Sequence, residues 1–400
     1  MLFTLEALEA AYGDCLILHY GTIATPRVMI IDGGPSGIYS KRLRPRLAEL
    51  QKSRTGAQPL PVQLAVVSHI DADHIEGILA LTQEAIDAKA NGDTPVARVL
   101  GMWHNSFDDT VKPAVAAVAQ VAATEGVQLA SLDGSIARSI AKMTTDKSQL
   151  VLASVGEGRA LRANVQALHI PLNSGFAGAL VLAGATPVIK NLGDGLSLTI
   201  INPRKAELDA LQTDWAKEIK KLKKAGKLKT ASESDAVAAE FVDASVSNLS
   251  SIVLLAESGG KKILLTGDVR GDFVIQSLEK QKLKKAGKPF HVDVLKVPHH
   301  GSWRDLADEF FDQIRADHYV FSANGKFSNP DLATIKSLLK VRAGDTYTVY
   351  LTNRKSSSTK KILPAASFLE KHGGTVKVVF PSDKATIPSL KIDLGTALKD

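Results

Sequence analysis

The sequence predicts an α/β protein, a four-layer αββα sandwich in which two β-sheets are covered by helices and a site runs along one edge. Two observations carry this expectation. Apolar runs of strand length alternate with helix-length stretches in both halves of the chain, and those runs repeatedly end on His, Asp or other polar residues. The chain has 400 residues, 44% hydrophobic and 23% charged, long enough to bury a full core. Residues 1–400 are read as one domain carrying a helical, lysine-rich insertion at about 205–245.

Strands are expected at 3–8, 15–20 and 27–31, the last closing on Asp32-Gly33-Gly34. A helix over 40–51 leads through a proline-marked loop to an apolar strand at 62–67, which runs directly into Ser68-His69-Ile70-Asp71-Ala72-Asp73-His74. A helix over 75–90 and a strand over 96–103 follow, the strand ending on His104-Asn105. Residues 113–185 read as helix and loop with few landmarks, before a strand at 196–201. Residues 205–240 form a charged helical stretch that includes Lys220, Lys221, Lys223, Lys224, Lys227 and Lys229. Strands at 251–256 and 262–265 come next, the second ending in Thr266-Gly267-Asp268. A helix over 273–285 precedes a strand at 292–297 that ends in Pro298-His299-His300-Gly301-Ser302. A further helix is expected over 303–314.

Lysine plus arginine exceed aspartate plus glutamate by 49 to 42, and the net charge of +7 favours an anionic partner such as a nucleic acid or nucleotide. The lysines of 220–229 suit either a phosphate backbone or a solvated helix face. Aromatic residues make up only 5%, and no interleaving of arginine with aromatics of the single-strand-binding kind is apparent. One cysteine, Cys15, excludes an intrachain disulfide and a cysteine-rich zinc site, so any metal must be held by His and carboxylate. There is no basic leader segment and no run of about 18 apolar residues, from which a soluble cytoplasmic protein without a membrane partner is expected. Oligomeric state is left open.

His69, Asp71, Asp73 and His74 fall within six residues between a strand and a helix, so a single turn can aim several of them into one space. Imidazole nitrogen with carboxylate oxygen suits zinc or manganese. Asp268 and the pair His299-His300 stand at two further strand ends and complete a candidate set. Clustered buried carboxylates without a cation are costly, which favours metal binding over solvation. Asp32 reads as a support for the ligand loop rather than a ligand.

The series IIDGG, SHIDADHIEG, LLTGD and VPHHGS resembles the metallo-β-lactamase superfamily, and within it the branch found as the soluble domain of ComEC-type competence proteins. The resemblance runs from Gly13-Asp14 to about Asn353 and includes NLSSIVLL from Asn248 and SANGKFSNP from Ser322. That branch carries an aspartate where the superfamily motif has its second histidine, as at Asp71. The resemblance implies a metallo-β-lactamase fold binding one or two divalent ions, Zn or Mn. His69 and Asp71 would belong to one position, Asp73 and His74 to the other, with Asp268 bridging and His300 ligating while His299 stands beside it. Many members place a histidine where this chain has Ser247-Asn248, which leaves the first position short of a ligand and gives Asn248 a supporting role.

A divalent ion lowers the pKa of coordinated water from about 15.7 to about 7, so the expected chemistry is hydrolysis. Asp73 is suited to orient the attacking water, and His104 and His299 to donate to a leaving group or non-bridging oxygen. His104 has a second reading, as a cap on the sheet edge. Ser302 likewise reads either as the N-cap of the helix over 303–314 or as a substrate contact at that helix's N-terminus. Since the superfamily serves many chemistries, fold alone does not name the substrate. The nearer branch and the basic charge favour a phosphodiesterase or nuclease. A hydrolase of small esters, lactones or thioesters, and a non-catalytic metal-containing regulatory or binding module, are the alternatives.

Overall fold

The computed structural model describes residues 1–56, 58–106, 146–176, 179–206, 208–209, 250–306, 309–356, 358–372, 374 and 376–398. Asn248, the lysines of 220–229 and most of the expected insertion lie outside the described residues.

The first sheet begins with an antiparallel meander of β1 (Leu2–Leu8), β2 (Leu16–Gly21) and β3 (Pro26–Ile31). Helix α1 (Arg44–Arg54) then returns the chain so that β4 (Leu60–Val67) pairs parallel with β3. Helix α2 (Ala72–Asn91) leads to β5 (Ala97–Val99) and β6 (Met102–His104), both parallel to β4. The single strand expected at 96–103 is thus divided. At the break, the Leu100 amide bonds the Val62 carbonyl and the Ala65 amide bonds the Gly101 carbonyl.

The second sheet has eight strands. Following helix α3 (Asp146–Ala167), its members are β7 (Val188–Gly193), β8 (Leu196–Asn202), β9 (Val253–Ser258), β10 (Lys261–Leu265), β11 (Phe290–Lys296), β12 (Ile314–Phe321), β13 (Thr348–Leu351) and β14 (Lys377–Val379). From β10 to β14 the pairing is parallel. Helices α4 (Gly271–Lys280), α5 (Phe310–Gln313), α6 (Leu332–Val341) and α7 (Pro364–His372) occupy the crossovers that parallel pairing requires. The last strand, β15 (Ser389–Asp393), pairs antiparallel with β1 and completes the first sheet.

Three apolar clusters order the layers. Leu5, Leu18, Met29 and Val66 of the first sheet pack with Leu198, Leu254, Ile263 and Val294 of the second. Alternate residues on the same strands point outward: Ile17, Ile30 and Val67 meet Leu47, Ile78 and Leu161 of the helices over the first sheet. On the other side, Leu255, Leu264 and Leu295 meet Val274, Ile335 and Leu369 of the helices over the second. The central strands are therefore buried on both faces, which is why they read as unbroken apolar runs. This is a mixed α/β arrangement of two multi-stranded sheets with helices outside, consistent with the expected sandwich. Among the described residues no helix is long and apolar enough to cross a membrane.

Two expected helices are corrected. The helix over 273–285 stops at Lys280, and Lys282 takes a left-handed conformation (φ 60°). The helix over 303–314 is not continuous: Trp303–Asp305 form one 3-10 turn, Leu306 is extended, α5 takes up only Phe310–Gln313, and Ile314 opens β12. Asp305 is held by His299 and Ser302, and Ile314 is held by pairing with Phe290, so neither end is available to a continuous helix.

The contact that seats α2 on the first sheet is backbone against backbone. The Gly33 amide donates to the His74 carbonyl (2.8 Å) and the Gly77 amide to the Gly34 carbonyl (3.0 Å). A β-carbon on Gly77 would lie 1.9 Å from the Gly33 carbonyl oxygen. Gly77→Ala is expected to lower stability by about 3 kcal/mol, as overpacking against an immobile backbone does. Gly156→Ala, in α3 with nothing within 4 Å of the added carbon, should be neutral or stabilising by about 0.5 kcal/mol. Urea unfolding of both variants measures the contrast, and equal midpoints would disprove it.

Candidate metal centre

The carboxyl ends of β3, β4, β10 and β11 deliver most of the site. His74 sits in the first turn of α2, whose N-cap position, Asp71, is extended (φ −63°, ψ 142°). Its Nδ1 donates to Asp32 Oδ2 at 2.8 Å. Asp32 also accepts from the Ser68 amide and the Ser68 hydroxyl, each at 2.7 Å. Asp32 thus locks the His74 ring and the ligand loop together.

His300 is fixed in the same way from the second sheet, its Nδ1 donating to the Ser322 carbonyl at 2.8 Å. With both Nδ1 atoms committed, the two rings present Nε2, and these atoms lie 3.3 Å apart. Asp268 stands 3.4 Å from Nε2 of His74 and 3.2 Å from Nε2 of His300. Asp73 stands 4.0 and 3.4 Å from the same two atoms. Asp32, His299 and His300 are all left-handed (φ 59°, 45° and 53°), which costs about 1 kcal/mol each for a residue with a side chain. The side-chain bonds just described hold Asp32 and His300 there, and the His299 amide bonds the Gly267 carbonyl at 3.1 Å.

Two residues in the centre escaped the sequence reading. Asp14 is buried and ion-paired with the equally buried Lys296, which also reaches Asp268 at 3.7 Å and donates to the Gly267 carbonyl at 3.3 Å. Both carried a signal. Asp14 follows Gly13 and precedes an apolar strand, as Asp32 follows one, and Lys296 is a lone cation at the end of an apolar strand three residues before the histidine pair. Gly13 is required by close approach, since a β-carbon there would lie 1.9 Å from the Asp73 carbonyl oxygen.

Asp14, His74, Asp268 and His300 are all buried and offer ligand atoms within 4.8 Å of one another, a group able to hold a metal ion. Asp14 faces the Nδ1 side of the rings, 3.4 Å from His300 and 3.9 Å from His74. Asp73 and Asp268 face the Nε2 side, where the uncommitted ring nitrogens point. On that side the buried Asp268 Oδ1 and His69 Nε2 have no hydrogen-bond partner. An oxygen and a nitrogen left this way in a dry site fit a cation.

His69 and Asp71 are brought to the same carboxylate. His69 Nε2 lies 3.4 Å from Asp71 and 3.9 Å from Asp268 Oδ2, and His299 Nε2 lies 3.6 Å from that same oxygen. His299 is oriented from behind by Asp305, 2.8 Å from its Nδ1. His104 is buried at the end of β6, its amide bonded to Asn173 and its ring against α3 at Gly158. The expected N-cap role of Ser302 is corrected in part: it stands at the N-cap position of the 3-10 turn Trp303–Asp305, but its side chain bonds no backbone amide there, and its hydroxyl donates to Asp305 at 3.1 Å, bracing the carboxylate that holds His299.

The electrostatics follow from this crowding. Burial pushes the Asp268 carboxyl up, but the charges of His300, His74 and His299 outweigh it and hold the group well below the usual carboxylate range. Burial disfavours the imidazolium of His74, yet Asp268, Asp32 and Asp73 raise its pKa well above 6.5; for His300, burial is likewise overcome, chiefly by Asp268 and Asp14. Lys296 is kept charged against burial by Asp14 and Asp268. A cavity of about 610 Å³ lies elsewhere, over Glu6 and Arg46. Glu6 is already satisfied there by His19, Arg46 and Ser389, and its pKa falls to about 2 despite burial.

No family model matches the chain. A curated relative, ComE operon protein 3 of Bacillus subtilis (strain 168), is 32% identical over 101 residues, covering 25% of this chain and 12% of that protein. What the site itself offers is a buried His/Asp group able to hold a metal ion.

Two outcomes are expected. Lys296→Met leaves Asp14 buried without its cation and should cost about 3–5 kcal/mol, part of which Lys296→Met/Asp14→Asn recovers; a double variant no more stable than the single one would show that the pair is not the cause. Because the folded pKa values of His74 and His300 are raised, the stabilisation they bring to the metal-free protein is complete below about pH 6.5 and is lost as pH rises through those values. A divalent ion replaces the protons, so the rise in Tm on adding Zn or Mn should grow between roughly pH 6 and pH 8. Scanning calorimetry at both pH values tests this, and a rise that shrinks with pH contradicts it.

Proposed function

We propose that the chain is a metallo-β-lactamase-fold hydrolase of the ComEC-like branch, folded as one four-layer domain with an insertion at about 205–245, that cleaves phosphodiesters in a nucleic acid or nucleotide in the cytoplasm. The observation that carries this reading is the pair of facing Nε2 atoms, His74 and His300, with Asp73 and Asp268 beside them. In this reading those four residues hold one divalent ion, Zn or Mn. His69, Asp71 and the second oxygen of Asp268 hold another, with Asn248 supporting. Charge supports two ions: Asp14, Asp32, Asp71, Asp73 and Asp268 meet one buried lysine, and two divalent cations neutralise the remainder.

A divalent ion, when bound, supplies Lewis-acid stabilisation and activation of water. The chain's own residues supply alignment and protons. Asp73, whose side chain is 19% exposed, is reachable by solvent and orients the attacking water by accepting its hydrogen bond. His300, 4% exposed, is buried as a ligand should be, whereas His299 is 28% exposed and presents Nε2 to an incoming substrate. Held by Asp305, His299 donates to a non-bridging oxygen or the leaving group.

Metal analysis followed by a hydrolysis screen tests the proposal. Protein loaded with Zn or Mn is expected to cleave DNA, RNA or bis-p-nitrophenyl phosphate. Asp73→Ala should lose about 100-fold or more of that rate while keeping its circular dichroism spectrum. Turnover of an ester, lactone or thioester with no phosphodiester cleaved in either metal would overturn it, as would an Asp73→Ala protein with undiminished activity.

A further inference from the structure

Beside the cage, three residues from two distant loops meet in one group. Tyr12 precedes Gly13-Asp14, and Lys326-Phe327 lie in the turn after β12. The Tyr12 and Phe327 rings stand edge to face with centroids 5.6 Å apart. The Lys326 ammonium lies 3.5 Å from the Tyr12 centroid and 5.0 Å from that of Phe327. Phe327 is 59% exposed and is the one aromatic among the large hydrophobics that the described residues leave exposed. A ring left in water beside a second ring and a cation offers a face on which a planar group can stack.

The group is tied to the metal centre by a short chain of bonds. The Gly13 carbonyl accepts from the Ser322 hydroxyl at 2.6 Å, and the Ser322 carbonyl accepts from His300 Nδ1. On the other side the Asp14 amide donates to the Asp73 carbonyl at 3.2 Å. Tyr12 therefore stands one residue from the packing contact with Asp73, and burial together with the charges of Asp73, Glu76 and Glu157 pushes its phenol pKa up. The turn that presents Lys326 and Phe327 is itself rigid. The Lys326 amide bonds the Asn324 side chain at 3.0 Å and the Gly325 amide bonds the Asn329 carbonyl at 2.9 Å.

We propose that Tyr12, Lys326 and Phe327 form a nucleobase-stacking and phosphate-binding platform beside the metal cage, so that the substrate is a nucleotide unit rather than a phosphodiester of any kind. The inference rests on the hydrolase reading for its chemistry but not for its test. A base has an apolar π face that lies on the exposed Phe327 ring, with Tyr12 standing edge to face against it, and such stacking is tolerant of base identity. The ammonium, now against the rings, supplies positive charge for the phosphate of that nucleotide. The cage beside it takes the adjacent scissile group.

Adenosine 5′-monophosphate and ribose 5-phosphate differ only in the base, and their binding to the full-length, metal-loaded protein is measured by calorimetry. Wild type is expected to bind the nucleotide about tenfold more tightly than the base-free phosphate. Phe327→Ala, at an exposed position, should abolish that preference and leave affinity for ribose 5-phosphate unchanged. Lys326→Gln should weaken both ligands and flatten the dependence on salt. Equal affinities in wild type, or a preference that survives Phe327→Ala, would overturn the platform. A base preference in a protein that cleaves no phosphodiester would leave the platform standing and remove the hydrolytic reading instead.

Discussion

The structure is organised around compensation of negative charge in a dry space. Asp14, Asp32, Asp73 and Asp268 converge with Asp71 at the strand ends, and Lys296 is the one buried lysine among them. An unpaired carboxylate in such a place costs several kcal/mol, so every neighbouring group is bent to the task. The carboxylates raise the pKa values of His74 and His300 against burial, and Ser68 gives its amide and hydroxyl to Asp32. The same arrangement aims two ring nitrogens at each other, an orientation that is unfavourable for two neutral acceptors or two cations and favourable around a metal.

The fold makes this convergence possible through features that would otherwise be liabilities. Parallel pairing of β3 with β4 and of β10 with β11 puts their carboxyl ends on one edge. Helix α2 must then come close enough to bring His74 over Asp32, which only glycine at Gly33 and Gly77 permits. Left-handed backbone at Asp32, His299 and His300 lets the chain turn sharply at these strand ends. Each is held by hydrogen bonds to a neighbouring loop at the end of its own sheet, so the strain is confined to the site.

What the sequence disclosed follows the range of the interactions involved. The strands at β1 to β4 and β8 to β11 were legible because burial on both faces leaves long apolar runs. The His69 to His74 segment was legible because its residues are local. Asp14 and Lys296 are single charges whose partners lie in opposite halves of the chain, and one isolated charge looks the same whether it will be solvated or entombed. The helix expected over 303–314 failed for a related reason. Its apolar spacing was suitable, but Asp305 is claimed by His299 and Ser302, and Ile314 by a strand that the local pattern does not reveal. Strand β15 alternates buried Leu390 and Ile392 with outward residues, and its partner is the first strand of the chain.

Burial across the cage also has a direction. His69, His74 and Asp32 are closed off, while Asp73, His299 and Asp71 grow steadily more exposed, the last to 31%. Among the described residues the cage is therefore most open on the side of the loops that carry Asp71, Asp73 and His299. The Tyr12 loop is packed on Asp73, and the Ser322 loop is bonded to His300, so both border that side. An aromatic content of 5% argued against recognition of bases when counted along the chain. It loses that force once two of the rings and a lysine stand together at the entrance, because recognition depends on local placement and a single stacked base needs no more than this.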